Sequence, residues 1–528
     1  MKRLAVITAV ASLGLAGTAV AVSAQTEEKP ATAAVSWAKC TGGDPYLENA
    51  ECAQIQVPLD YSRPNGKKIS VAVSRVKHTD TKHYKGVLVG NPGGPGGSGL
   101  YLSGGFANWF TGVGHPEIPA QYDIIGFDPR GVGASQPALT CDPHFSDPVR
   151  PDYVPHSAAA EATWLKKSKA YAQACASKFG WLLPHLRTTD AARDLDAIRA
   201  ALGQKQISYY GFSYGTYLGA TYGTLFPKRV RHMVLDGNVD DRGVWYDAQL
   251  EQDKAFERNI KLFFGWIAKY DSRFHLGTSE AAVEKAYYAM RAKAAKQAIG
   301  GKVGPDELDD TFLNAGYNTG WYEPIAGVFS AYVTKGDAAA IADFYSDYIF
   351  SSDDNGFAVY NAVQAADARW PRSWSTWHKD AAKLYKQGYH FNTWGNVWFN
   401  APVKYWPFQG GPKLRINARG MAPALLVQST LDAATPYPGG VQMHKLLPSR
   451  LVAELGGKTH ANTLNGNACL DDRVAAYLST DALPKDKPGS GPDVTCQALP
   501  DPVPADAVAS TARGTAPRVP ARPLIGRP

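Results

Sequence analysis

Gly211-Phe212-Ser213-Tyr214-Gly215 decides the fold. A β-like run, Ile207-Ser208-Tyr209-Tyr210, leads into it, and residues 216–226 read as a helix that stops at Pro227. Strand, G-x-S-x-G and helix make a sharp turn that lifts a serine hydroxyl above a sheet. The serine sits at a helix N-terminus, where backbone dipoles favour a developing negative charge. Side chains two residues before and two after it would strike the neighbouring strand and helix, so both positions are glycine. With 51 glycines in 528 residues, the pentapeptide alone also fits an idle glycine-rich turn, and its surroundings must decide.

Outward from the turn, strands and helices alternate. Residues 53–58 and 69–76 read as a hairpin around Arg63-Pro64-Asn65-Gly66. Gly86-Val87-Leu88-Val89-Gly90 is a buried strand running into Asn91-Pro92-Gly93-Gly94-Pro95-Gly96-Gly97-Ser98-Gly99. Residues 122–127 form another strand, ending in Asp128-Pro129-Arg130-Gly131-Val132-Gly133. Residues 188–202 read as a helix with Leu195, Ile198 and Leu202 on one face and Gly203 as its stop. Residues 230–235 are the next strand. Apolar strands alternating with helices predict an α/β fold whose parallel sheet is covered on both faces.

From residue 241 to 414 helical patterns dominate, as at 248–270, 279–298 and 337–349. Nine of the 13 tryptophans fall there, which suits a compact helical core and also an aromatic groove over the serine. The sheet then resumes with strands at 423–429 and 450–455 and a last helix at 471–479. The expected organisation is a leader over 1–24, a first core segment 25–240, a helical lid 241–414, a second core segment 415–482 and a Pro/Ala-rich tail 483–528 without periodicity.

The leader reads as a secretory signal: Met1-Lys2-Arg3, an apolar run to Val22, and a small-residue site at Val22 and Ala24. No further apolar span of about 20 residues follows, so no stable membrane anchor is expected. Cys40, Cys52, Cys141, Cys175, Cys469 and Cys496 are even in number and make no C-x-x-C. We expect sequence neighbours to pair, as Cys40–Cys52, Cys141–Cys175 and Cys469–Cys496, in an oxidising compartment. These features predict an extracellular protein, free or at the cell wall. The net charge of +7 is spread along the chain and forms no basic stripe for nucleic acid. A monomer is expected.

A serine hydroxyl needs a base, and the base an acid to fix its tautomer. Strand–elbow–helix sites order these as serine, acid, histidine along the chain. Histidines before Ser213 break that order, His232 lies in a strand too close to the elbow, His275, His378 and His390 fall in the expected lid, and His444 sits inside a helix; His460 follows the last strand directly and can reach back over the sheet edge. Asp432 ends the preceding strand, whereas Asp471 and Asp472 come after the histidine. An oxyanion would take the N–H of Tyr214 and, from the glycine-rich loop, that of Gly94. G-x-x-x-x-G-K-[ST] is absent, so a phosphate cradle is disfavoured, and no metal or cofactor is implied.

Taken together, the glycine loop 91–99, Gly126 to Gly133, Gly211 to Gly219 and Asp432-Ala433-Ala434-Thr435-Pro436 resemble secreted bacterial tripeptidyl aminopeptidases, α/β-hydrolases of the proline-iminopeptidase type. The resemblance spans about residues 35–500 and includes the helical stretches. It implies an α/β-hydrolase fold with a lid inserted between the sixth-strand region and the last two strands. It implies a serine exopeptidase that takes peptides with a free N-terminus and releases short ones, typically tripeptides. Its nucleophile, acid and base fall on Ser213, Asp432 and His460. Family members carry an acidic residue and a cysteine where this chain has Gln364 and Ala365, and often a glycine where it has Ala461. An exopeptidase needs an anion for the substrate ammonium. Asp367, Glu251 and Glu323 are the expected candidates. The alternatives are an esterase using the same machinery, favoured if Gln364 removes amine recognition, and a binding protein on an inactive fold.

Overall fold

The computed structural model describes residues 35–489 and 491–505. The expected leader and the tail beyond residue 505 lie outside the described residues.

The described strands form one sheet. They are β1 (Ala38–Lys39), β2 (Glu51–Pro58), β3 (Lys68–Val76), β4 (Val87–Asn91), β5 (Asp123–Phe127), β6 (Ile207–Phe212), β7 (Val230–Asp236), β8 (Ala424–Ser429), β9 (Ser449–Leu455) and β10 (Val494–Gln497). Their order is β1-β2-β3-β5-β4-β6-β7-β8-β9-β10. β1, β2, β3 and β5 pair antiparallel, and from β5 to β10 every pairing is parallel. β4, β6 and β8 are buried at every residue, as strands covered on both faces must be.

Register brings the chemistry to one edge. Asn91 at the end of β4 lies opposite Gly211 of β6. Phe212 lies opposite Asp236 of β7, and Asp236 opposite Val427 of β8. The loops after β4, β6, β8 and β9 therefore leave the sheet together at its carboxyl edge, where open α/β sheets bind ligands.

Two elements differ from expectation. Helix Ala158–Phe179 was not anticipated. Its buried residues, Trp164, Ser168, Tyr171, Ala172 and Cys175, keep helical spacing, but small and polar residues among them hide the apolar face. In the expected tail the sequence placed no strand, yet β10 extends the sheet beside β9, and Trp266 Nε1 donates to the Pro502 carbonyl at 2.8 Å. The three disulfides join sequence neighbours as expected. No helix among the described residues is long and apolar enough to cross a membrane.

The helices between β7 and β8 divide between two buried clusters. Phe256, Phe263, Tyr287, Phe312 and Phe329 form one, which also takes in Ala433 and Ala434 from the loop after β8. Phe357, Trp370, Trp377, Trp398 and Trp406 instead join the cluster under the sheet. Most of the tryptophans are packing groups. Trp370 stacks on Trp377, and Trp398 stacks on Trp164, Trp374 and Trp394. Of the nine, Trp245 lines the cavity that holds Ser213.

Behind β5 a buried ion pair ties loops to the sheet. Arg130 binds both Asp194 oxygens at 2.6 Å and donates to the carbonyls of Pro58, Leu59 and His185. Arg130→Met would leave a buried carboxylate without its counter-ion and is expected to cost about 3–5 kcal/mol. Adding Asp194→Leu should restore part of that loss. Urea denaturation midpoints of the two variants check this, and a wild-type midpoint for the single variant would refute it.

Candidate active site

Ser213 stands at φ 56° and ψ −126°, outside the regions ordinary residues occupy. Its N–H donates to the Asp236 carbonyl at 3.0 Å. The elbow glycines are needed for space. A Cβ on Gly211 would strike the Gly215 carbonyl, and one on Gly215 would lie 2.8 Å from the Asn91 carbonyl. A Cβ on Gly93 would lie 2.8 Å from the Ser213 Cβ, so the glycine loop abuts the serine.

That loop is held from behind. Asp128 accepts from Ser98 Oγ at 2.6 Å, Gly99 N at 2.8 Å and Ala134 N at 2.8 Å. Burial pushes the Asp128 carboxyl above the usual range, while the bonds it accepts oppose that rise. Gly94 and Tyr214 line the same cavity as Ser213, a space of about 660 Å³. Beyond Gly94, Gly96 packs so closely on helix Asn355–Asp367 that a Cβ would strike the Gly356 carbonyl.

The structure brings His460 and Asp432 together, both buried. His460 Nδ1 lies 2.8 Å and 3.0 Å from the two Asp432 oxygens. Asp432 also accepts from Thr435 N at 2.9 Å and Thr435 Oγ1 at 3.0 Å. With Nδ1–H donating to the carboxylate, Nε2 carries the lone pair, and it makes no hydrogen bond among the described residues. The imidazole lies over Gly237, where a Cβ would sit 3.0 Å from Cε1. Gly237 directly follows Asp236, the residue that binds Ser213 N, so the imidazole and the serine flank the end of β7.

Helices from outside the sheet brace both loops. His460 N donates to the Tyr317 carbonyl at 2.7 Å, and the two rings meet edge-on at 5.9 Å. Arg258 Nη2 donates to the Leu431 carbonyl at 2.6 Å, and Asn259 Nδ2 reaches the same carbonyl at 2.9 Å. Beyond His460, Thr463 N and Oγ1 donate to Asp236 at 2.8 Å and 2.6 Å. Leu464 N and Gly466 N donate to Asp471, whose carboxyl burial pushes up to about 6. Sequence reading missed Arg258, Asn259 and Tyr317, which carry no motif. Asp128 and Thr435 stand inside quoted motifs, and their roles follow only from contacts.

The expected amine-binding residues separate. Glu323 lies in another cavity and pairs with Arg273 at 2.8 Å, so it does not reach Ser213. Asp367 is turned away as well. It accepts from Thr188 N at 2.7 Å, Thr188 Oγ1 at 2.6 Å and Trp245 Nε1 at 3.2 Å. Thr188 Oγ1 in turn meets Tyr214 OH at 2.7 Å, so Asp367 supports the residue after the serine from below. Burial pushes its carboxyl up to about 6. Glu251 does line the cavity, paired with Lys254 at 2.6 Å. Asp247 and Asp380, not anticipated, line it too, as does Gln364, whose Oε1 accepts from Gln249 Nε2 at 3.2 Å.

A family model described as alpha/beta hydrolase fold matches residues 86–462. The chain is 41% identical over 479 residues to a tripeptidyl aminopeptidase of Streptomyces lividans, covering 89% of this chain and 87% of that one. It is 30% identical over 472 residues to serine protease Hip1 of Mycobacterium tuberculosis, covering 84% and 88%. It is 31% identical over 472 residues to a Mycobacterium tuberculosis protein named carboxylesterase B, covering 85% and 88%.

Gly96→Ala should push the glycine loop off helix Asn355–Asp367 and slow labelling of Ser213 by a fluorophosphonate about tenfold to a hundredfold. Labelling at the wild-type rate would show that the contact does not position the site. The raised Asp367 pKa means the folded state holds its proton more tightly than the unfolded chain. Wild type should therefore gain stability relative to Asp367→Asn as pH falls from about 7 to about 4, below which the difference levels off. Denaturation midpoints across that range provide the check.

Proposed function

This chain belongs to the α/β-hydrolase family, alongside the Streptomyces tripeptidyl aminopeptidases, and we propose that it is a secreted serine aminopeptidase. The observation that carries the reading is the pairing of His460 Nδ1 with Asp432 at 2.8 Å beside the Ser213 elbow. In this scheme Ser213 Oγ attacks the scissile carbonyl and His460 Nε2 takes its proton. Asp432 holds the tautomer and stabilises the imidazolium. The N–H groups of Gly94 and Tyr214 receive the oxyanion. His460 then passes the proton to the leaving nitrogen as the C–N bond breaks, and water hydrolyses the acyl-enzyme by the same base. No step uses a metal, so activity should survive chelators.

The substrate ammonium would be met by the carboxylates of the cavity, Asp247, Glu251 and Asp380. Asp247 is exposed there and makes no ion pair among the described residues, whereas Glu251 is committed to Lys254 and Asp380 accepts from Tyr246 OH at 2.9 Å. Asp247 is thus the carboxylate most available to a new cation. The leader and the three disulfides support export, and the aminopeptidase relatives support release of tripeptides.

A second reading is an esterase for small acyl compounds. The neutral patch of Gln249, Tyr360 and Gln364 in the cavity favours it, as does similarity to a protein named carboxylesterase B.

One comparison separates these readings: a chromogenic tripeptide amide with a free or an acetylated N-terminus, beside a short acyl ester. Only the free-amine peptide should turn over well, with acetylation lowering kcat/KM at least about tenfold. Ser213→Ala should lose about 10⁴-fold or more. Asp247→Asn should raise KM for the free-amine peptide and leave the acetylated one unchanged. Ester cleavage without amide cleavage would establish the esterase. No serine-dependent turnover at all would leave a binding protein.

A further inference from the structure

We propose that a second, aromatic cavity of about 280 Å³ receives the substrate residue just after the scissile bond and favours a large aromatic side chain there. The inference rests on the peptidase reading and adds its leaving-side specificity.

The walls include Phe145, Trp164, Tyr317, Trp321, Phe357 and Phe399. Of the charged groups beside them, Asp353 is exposed at the rim and accepts from Asn355 N, and the others are satisfied inside the protein. Arg150 is held by Glu307 at 2.8 Å and Asp310 at 2.7 Å, and Asp354 accepts from Cys141 N, Asp142 N and Tyr171 OH. The space therefore offers ring faces and edges, the surface an aromatic side chain packs against best.

Its position ties it to the chemistry. Tyr317 forms part of its wall, and the same residue holds His460 through its carbonyl and its ring. The two cavities also share a helix. Phe357, Tyr360 and Gln364 lie on one face of Asn355–Asp367 at i, i+3 and i+7. Phe357 lines the aromatic cavity, and Tyr360 and Gln364 line the one containing Ser213. Phe399 meets both Phe357 and Tyr360 at 4.9 Å. Gly96 of the glycine loop is packed against this helix at Gly356. The cavities thus lie along one helix face with the glycine loop against its start.

The mechanism decides which segment goes where. His460 must protonate the leaving nitrogen, so the leaving segment lies on the histidine side of the carbonyl. The acyl segment keeps the larger cavity with Gly94, Tyr214 and the carboxylates. At the rim of the aromatic cavity Tyr348 is 65% exposed, so the rest of a longer leaving peptide can continue into solvent.

The test uses hexapeptide amides Ala-Ala-Ala-X-Ala-Ala, with X either Phe or Ala, and the methyl ester of Ala-Ala-Ala, whose leaving group is too small to pack against the walls of the cavity. Full-length wild type is compared with Trp321→Ala and Tyr348→Ala, which lie away from the reacting atoms. Wild type should favour Phe over Ala in kcat/KM by about tenfold or more. Each variant should narrow that ratio to within about threefold while hydrolysing the ester at the wild-type rate, which also reports that it has folded. A wild-type ratio near one, or a ratio that survives both substitutions, overturns the proposal and leaves the peptidase reading standing. Ester hydrolysis with no cleavage of either peptide removes the peptidase reading and the proposal with it.

Discussion

The close approach of three backbone segments at the end of β4 and β6 governs the rest of the site. Gly93 touches Phe212 and Ser213, Gly211 touches Gly215, and Gly215 touches Asn91. Any side chain at these positions would separate the strand that bears the serine from the loop beside it. The contacts also hold Ser213 at positive φ, a conformation that costs of order 1–3 kcal/mol and persists only where its surroundings over-determine it. The N–H of Ser213 on Asp236, and the Thr216 hydroxyl on the Ser213 carbonyl at 2.6 Å, supply that determination.

The second requirement is to hold Asp432 and His460, which come from two other loops. Neither loop is held by the sheet alone. Arg258 and Asn259 grip the Leu431 carbonyl, and Tyr317 grips His460 N. Ala433 and Ala434 pack in the same apolar cluster as the helices that carry those residues. The helical segment therefore positions Asp432 and His460 as well as bordering the cavity that holds Ser213. Displacing it should misalign the histidine, which distinguishes it physically from a cover that merely opens and shuts.

Much of this was legible in the sequence because it rests on local rules. The elbow, the glycine loop, the strand ends carrying Asp432 and His460, and the disulfide neighbours each follow from spacing and backbone sterics within a few residues. What stayed hidden depends on contacts between distant segments. Asp367 stood as an amine anchor because it is the acid left in the segment where the resembling family carries one at Gln364, yet its oxygens are taken by Thr188 and Trp245. Glu323 was plausible by charge alone, and the fold carries it to Arg273. Helix Ala158–Phe179 buries Ser168 and Ala172 beside Trp164 and Tyr171, so a pattern of large apolar residues could not reveal it. β10 escaped because one edge strand in a Pro-rich stretch has too few residues to show a period.

The charge around the larger cavity also limits how an N-terminus can be recognised. An exposed ammonium–carboxylate pair contributes about 0.2–1 kcal/mol, and a tenfold preference needs about 1.4 kcal/mol. Glu251 must give up part of Lys254 to engage a substrate amine, so its net contribution falls below that of an uncommitted carboxylate. Asp247 alone therefore cannot supply strong discrimination while it remains in water. The peptide itself must change the setting. By filling the space between Trp245, Tyr360 and Gln364 it would displace water from the carboxylates beside them, and a lower local dielectric strengthens every remaining charge pair. On this argument selectivity for a free amine grows with how well the substrate fills the cavity. A short acyl ester, which leaves the cavity wet, would be handled with little regard to charge by the same residues.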